Sequence, residues 1–269
     1  MMTTLVCRST LLLLLWLGAG LASAQQRERA VESVLSALDS GESCWSGIVV
    51  ENLGDEPVTV AVEAHKGSGA LVPLTGHPEI AVRLKPGERG SYKLQTEEKE
   101  SSAWVVVREM VRPPRRSPVV AVSGTTECLI GDQVRTAARE VAYPTRNPWF
   151  SGDVGEMQGG VVSLINASDR TARASACYSS GVLYSVPTEA HPNPALKPVC
   201  SSALDVQIPP FGTRLFPVEH DRNSHFSLKT RGDAIVLQML RPVAVNVKMY
   251  AVDSTIQFGS EVPAEGGRQ

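Results

Sequence analysis

The chain has 269 residues, 42% of them hydrophobic and 20% charged, with 26 Lys plus Arg against 28 Asp plus Glu and a formal net charge of −2. A near-neutral balance without a sustained basic stripe argues against nucleic acid as a partner, because affinity there rests on neutralising phosphates. The length suits two domains of ordinary size, each able to bury a core.

In chain order, the N-terminus reads as a secretory signal: Arg8 supplies the positive region, Leu11 to Leu17 the short apolar region, and Ala22-Ser23-Ala24 the cleavage site before Gln25. Cleavage over residues 1–24 removes Arg8 and no acid, taking the net charge to −3. No later stretch approaches about 18 uninterrupted apolar residues, so no transmembrane segment is expected in the mature chain. Val31, Val34, Leu35 and Leu38 recur at helical spacing, which predicts a short amphipathic helix within residues 25–43.

From Ile48 the period changes to two, with Val58, Val60 and Val62 facing one way and Thr59, Ala61 and Glu63 the other. Asn52-Leu-Gly54-Asp55 and Asn166-Ala-Ser-Asp169 read as hairpin turns, since Asn, Gly and Asp tolerate the conformations that tight turns require. The continuous apolar runs Val105 to Val107 and Ile235 to Leu237 read as central strands covered on both sides. Val119 to Val122 and Val243 to Val247 read as closing strands.

The same signals occur twice. Ile48-Val-Val-Glu-Asn52 matches Val161-Val-Ser-Leu-Ile-Asn166, and Gly69-Ala-Leu71 matches Gly181-Val-Leu183. Val82-Arg-Leu-Lys-Pro86-Gly87 matches Val206-Gln-Ile-Pro-Pro210-Phe-Gly212, and Ala103-Trp-Val-Val-Val107 matches Ala234-Ile-Val-Leu-Gln238. The offset drifts from about 112 to about 131 residues because of a Pro-rich insertion near 187–199, and a period this long marks duplicated domains rather than a solenoid. Short strands with turn signals between them predict two tandem antiparallel β-sandwich domains, 44–130 and 149–261. A proline-stiffened connector, 131–148, joins them, with Val134 to Glu140 as a second helix candidate, and 262–269 forms a disordered tail.

Four cysteines remain after cleavage: Cys44, Cys128, Cys177 and Cys200. An even count in an exported chain reads as disulfides, and four cysteines allow three pairings. The repeat favours pairing within copies, Cys44 with Cys128 and Cys177 with Cys200, each bridge stabilising by roughly 3 to 4.5 kcal/mol on the loop-entropy account.

The order of these signals resembles the tandem immunoglobulin-like repeats of bacterial secreted and cell-surface proteins: an apolar strand ending at Asn, a strand leading into Pro-Gly, and a closing Pro-Val segment, Pro118-Val119 and Pro242-Val243. The resemblance implies an all-β architecture and assigns no enzymatic role.

Chemistry-bearing motifs are few. His220-Asp221-Arg-Asn-Ser-His225 holds metal-ligand types but has no His counterpart in the first copy, so a solvated loop is expected. The same holds for Arg112-Pro-Pro-Arg115-Arg116, a basic Pro-rich turn. Arg231-Gly-Asp233 matches an integrin-read tripeptide and Asn166-Ala-Ser168 a glycosylation sequon, but turn residues account for both. Hydrolase and phosphate-cradling signatures are missing, so neither catalytic residues nor cofactor or metal ligands are expected. Trp104 is expected in the core, and Trp45 and Trp149 beneath the first strand of each copy. These features predict an exported, periplasmic or extracellular, non-enzymatic binding or structural module with a protein or cell-envelope partner. The alternative is an assembly chaperone or adhesin-like subunit working by edge-strand pairing, and a secreted hydrolase comes third.

Overall fold

The structure is a computed structural model that describes residues 31–75, 81–94, 100–110, 118–153, 157, 159–180, 202–218, 224–243 and 249–260. The expected signal peptide, the tail, Cys200, the Pro-rich insertion, the basic turn at 112–116 and His220-Asp221 lie outside these residues.

The first half carries β1 (Val31–Gly41), β2 (Cys44–Asn52), β3 (Val58–Lys66), β4 (Leu71–Val72), β5 (Leu74–Thr75), β6 (Ala81–Leu84), β7 (Arg89–Leu94), β8 (Glu100–Met110), β9 (Val120–Ile130), β10 (Gln133–Arg139) and β11 (Val141–Ala142). The second carries β12 (Trp149–Asp153), β13 (Val161–Asn166), β14 (Ala172–Ser180), β15 (Ser202–Ile208), β16 (Thr213–Pro217), β17 (Ser224–Arg231), β18 (Ile235–Pro242) and β19 (Tyr250–Val252). They form four antiparallel sheets, ordered β11-β1-β8-β3-β4 with β6 also on β3, β10-β9-β2-β7-β5, β12-β17-β14-β15 and β16-β13-β18-β19. The protein is all-β.

Period-two alternation builds the cores. Ile48 and Val50 from β2, Val58, Val60 and Val62 from β3, and Tyr92 and Leu94 from β7 point into one apolar cluster with Val105 and Val107 of β8. A second cluster gathers Val162 and Leu164 of β13, Phe226 and Leu228 of β17, and Ile235, Leu237 and Met239 of β18. Cys44 and Cys128 face each other directly across β2 and β9 and are disulfide-bonded, closing a sequence separation of 84. Cys177 is disulfide-bonded as well.

Where a helix is expected within 25–43, the described residues Val31–Gly41 form a strand. In β1 the register against β8 shifts between Leu35 and Leu38, and Ala37 takes a φ of 53°. Such a bulge inserts one extra residue, so Leu35 and Leu38, three apart, both enter the first core. Val34 points to the opposite, also covered, face. Bulge plus two-sided burial thus reproduces the spacing of an amphipathic helix. The second helix candidate, Val134 to Glu140, falls on β10, and the segment expected as a connector holds β10 and β11, which extend the two sheets of the first half.

The repeat is real in topology, with a different correspondence from the expected one. β2 lies between β7 and β9, and β13 lies between β16 and β18; β8 lies between β1 and β3, and β17 lies between β12 and β14. The counterpart of β8 is therefore β17, not β18, and Trp149 in β12 corresponds to β1 rather than to Trp45 in β2. Ala103 to Val107 resembles Ala234 to Gln238 for another reason. Both runs are buried on two faces, one against their own core and the other where the halves meet: Val34, Trp104 and Val106 pack with Ile165, Ala167 and Val236.

Each half also contains the same polar bracket. Asn52, fully buried, donates from Nδ2 to Glu56 O (2.8 Å) and Leu84 O (3.1 Å) and accepts from Gly54 N at Oδ1 (2.9 Å). Asn166, equally buried, donates to Arg170 O (2.7 Å), Ile208 O (3.3 Å) and Pro209 O (2.9 Å) and accepts from Ser168 N (3.2 Å). One amide thereby fixes both a tight turn and the end of a strand distant in sequence. We expect Asn52→Ala and Asn166→Ala each to destabilise by about 2 to 3 kcal/mol, because buried carbonyls and an amide lose their partner; urea midpoints measure this.

Candidate functional site

Two places concentrate polar chemistry. The first is the junction between the halves, where the outer face of β3 and β8 carries Glu63, His65, Trp104 and Arg108. His65, buried, is sandwiched between Trp104 (centroids 4.9 Å) and Phe211 (4.8 Å). Trp104 Nε1 donates to Phe211 O (3.1 Å), and Thr213 N donates to Gly67 O (2.9 Å), so backbone bonds accompany the ring stack. Phe211 holds a φ of 54°, a region that bulky residues seldom adopt, and the stack is what that conformation secures. Gly69, at φ 90°, lies so close to the same turn that a Cβ would stand 2.3 Å from Pro210 O.

Beside the stack, Arg108 bonds Glu32 (2.9 Å) and Glu63 (2.6 Å), with its guanidinium over the Phe211 ring. The hydrogen bond from His65 (3.4 Å) is the main force on the Glu63 carboxyl; against the opposing effect of burial, it and Arg108 hold that group down at about 2. Burial pulls the Arg108 guanidinium down, but the two carboxylates outweigh it and raise it above its ordinary value. Each charged group of Arg108, Glu32 and Glu63 has an opposite partner within the protein, so the cluster acts as a clasp at the junction.

The second place is the outer face of the β12-β17-β14-β15 sheet. Strand pairing aligns Trp149, Lys229, Ser175 and Asp205 in one row across the four strands, and Arg231, Arg173 and Gln207 in the next. These residues, with Asn147, line an open concavity of about 1040 Å³. Arg173 and Arg231 stand directly opposite each other, and neither they nor Lys229 forms an ion pair among the described residues. Trp149 is 48% exposed and its indole lies on Gly259, whose backbone exchanges two hydrogen bonds with that of Trp149 (2.8 and 2.9 Å).

The sequence-derived candidates are distributed as follows. Trp104 is buried as expected, though in the junction rather than within a sheet-to-sheet core. Trp45 and Trp149 do not pack beneath a first strand; both are about half exposed. Trp45 donates from Nε1 to Glu127 (2.6 Å) on the outer face of β2, because its odd position in that strand faces away from the core. His225 bonds Ser151 Oγ (2.7 Å), and no three His, Cys, Asp or Glu side chains converge among the described residues. Asp233 of the Arg-Gly-Asp triplet faces Arg146 (3.8 Å) and Arg170 (3.4 Å), and Gly232 N donates to Asn147 Oδ1 (2.9 Å), so the triplet forms a held turn. The sequon Asn166 is spent on the buried bracket. Sequence reasoning missed Arg173 and Lys229, and met Arg231 only within the triplet. Alternation in Ala172–Ser180 and Ser224–Arg231 marks one face of each strand, but the register that sets the cations side by side is not written in either segment alone.

No protein-family model, curated protein or solved structure matches the chain.

Glu63 gives the junction a defined pH response. Its folded-state value lies below the ordinary 4.5, so its contribution is fully present above that pH and is lost as pH falls toward about 2. Wild-type stability should therefore decline over this window more steeply than that of Glu63→Gln, as read by urea midpoints at pH 6 and pH 3.

Proposed function

We propose that the chain is an exported, non-enzymatic binding module of a bacterial cell envelope, made of two immunoglobulin-like sandwiches joined side by side, and that it binds through the outer face of the β12-β17-β14-β15 sheet. The Cys44–Cys128 disulfide supports an oxidising compartment. The duplicated strand order supports the sandwich reading, with one exchange. The immunoglobulin arrangement places its first strand beside the second and its last beside the sixth. In this chain the first strand of each half, β1 or β12, lies beside β8 or β17, and the strand that follows those, β9 or β18, lies beside β2 or β13, with every pair antiparallel.

The observation that carries the binding reading is the Arg173 and Arg231 pair. Like charges directly opposite on neighbouring strands are destabilising, and Arg173 and Arg231 have no carboxylate partner among the described residues, whereas Arg108 beside the ring stack has two; an uncompensated guanidinium pair of this kind suits an anionic ligand. A second reading, edge-strand pairing with a partner, draws on β10, which ends its sheet with Val134 54% exposed opposite the 49% exposed Leu129.

The binding reading has a direct test in stability. Removing one guanidinium with Arg231→Ser should raise stability by a few tenths of a kcal/mol, the scale of a cross-strand charge pair, as read from urea unfolding. A loss of more than about 1 kcal/mol would make the pair a structural element and return the weight to the β10 edge.

A further inference from the structure

The geometry points to an acidic polysaccharide as the ligand of the β12-β17-β14-β15 face, with a sugar ring stacked on Trp149 and carboxylate groups taken by the Arg173 and Arg231 pair; this rests on the binding reading above. Charge complementarity is the first argument. The whole chain has a net charge of −2, yet Arg173, Arg231 and Lys229 share one face, and among the described residues that line the concavity Asp205 is the one carboxylate. Guanidinium forks suit planar carboxylates, which they engage through two parallel hydrogen bonds.

Shape is the second argument. A site for a small anion is a pocket that buries most of its ligand, whereas this is an open concavity of about 1040 Å³ with lining residues from all four strands. An extended polymer laid along a row meets a new side chain roughly every 4.8 Å, the spacing between strands. The first row offers an aromatic surface at one end and a cation beside it, Trp149 in register with Lys229, and the two guanidiniums follow about 7 Å further along the strands.

Trp149 is the third argument and separates sugar from other polyanions. Its indole is backed by the Gly259 backbone, where a Cβ would stand 2.4 Å from Cε2, so the ring has a fixed floor. An amphipathic ring of this kind, with a polar edge and an apolar face, suits a sugar ring, which also has both. Single-stranded nucleic acid would call for several such aromatics along a longer basic groove, and three cations are too few for strong phosphate neutralisation.

The experiment uses the full mature chain in affinity electrophoresis and titration calorimetry with polygalacturonate, with neutral dextran and poly-glutamate as controls. Binding to polygalacturonate alone, weakening with salt, is the expected result. Trp149→Ala should reduce affinity roughly fivefold and Arg173→Ser/Arg231→Ser at least about tenfold, with unchanged circular dichroism, since all three side chains are exposed. Equal binding of poly-glutamate would overturn the sugar assignment while leaving a binding face in place. Binding undiminished in both variants, or no binding to polygalacturonate, would overturn the proposal. The underlying binding reading fails separately, through destabilisation by Arg231→Ser.

Discussion

The stack of Trp104, His65 and Phe211 draws the outer face of the β1-β8-β3 sheet out of water, and the arrangement of both halves depends on it. An antiparallel sheet commonly packs one face and leaves the other solvated. Here β8 sends Val105 and Val107 into its own core and Trp104 and Val106 into the junction. β18 behaves alike, with Leu237 inward and Val236 at the junction. Because hydrogen bonds from Thr213 N to Gly67 O and from the Trp104 ring to Phe211 O accompany the apolar contact, the junction has a preferred register. A merely greasy interface would allow sliding.

Two-sided burial also decides what could be read from the sequence. Where one face met solvent, as in β2, and in β3 up to Glu63, alternation located the strand. Where both faces were covered, alternation vanished and the reading failed in instructive ways. Leu35 and Leu38 took on helical spacing through a bulge, and Ala103 to Val107 was paired with Ala234 to Gln238 through likeness of environment instead of position in the fold. The Asn turns were legible because their chemistry is local. The cation face was not, because Arg173 and Arg231 lie far apart in the chain and meet only through the register of β14 with β17.

Charge is partitioned between the two places. Arg108 pairs with both Glu32 and Glu63 beside the ring stack, and Arg139, whose buried guanidinium is held below its ordinary value by burial against the attraction of Asp39, bonds Thr126 and the Tyr250 carbonyl from the other half. Pairing of this kind at a buried boundary costs desolvation and returns specificity of contact. The outer face of the β12-β17-β14-β15 sheet keeps its cations solvated, where leaving them unpaired costs least.

The position of β1 has a consequence for how the chain reaches this state. Of the described residues those of β1 are synthesised first, yet Val31 pairs with Glu109 and Val34 with Ala142. The strand therefore waits, apolar and without hydrogen-bonding neighbours, until most of the first half has been made. Contacts so distant along the chain delay folding, and an exposed strand in the interval invites pairing with other chains. The first strand of this half thus docks only once β8 has been made.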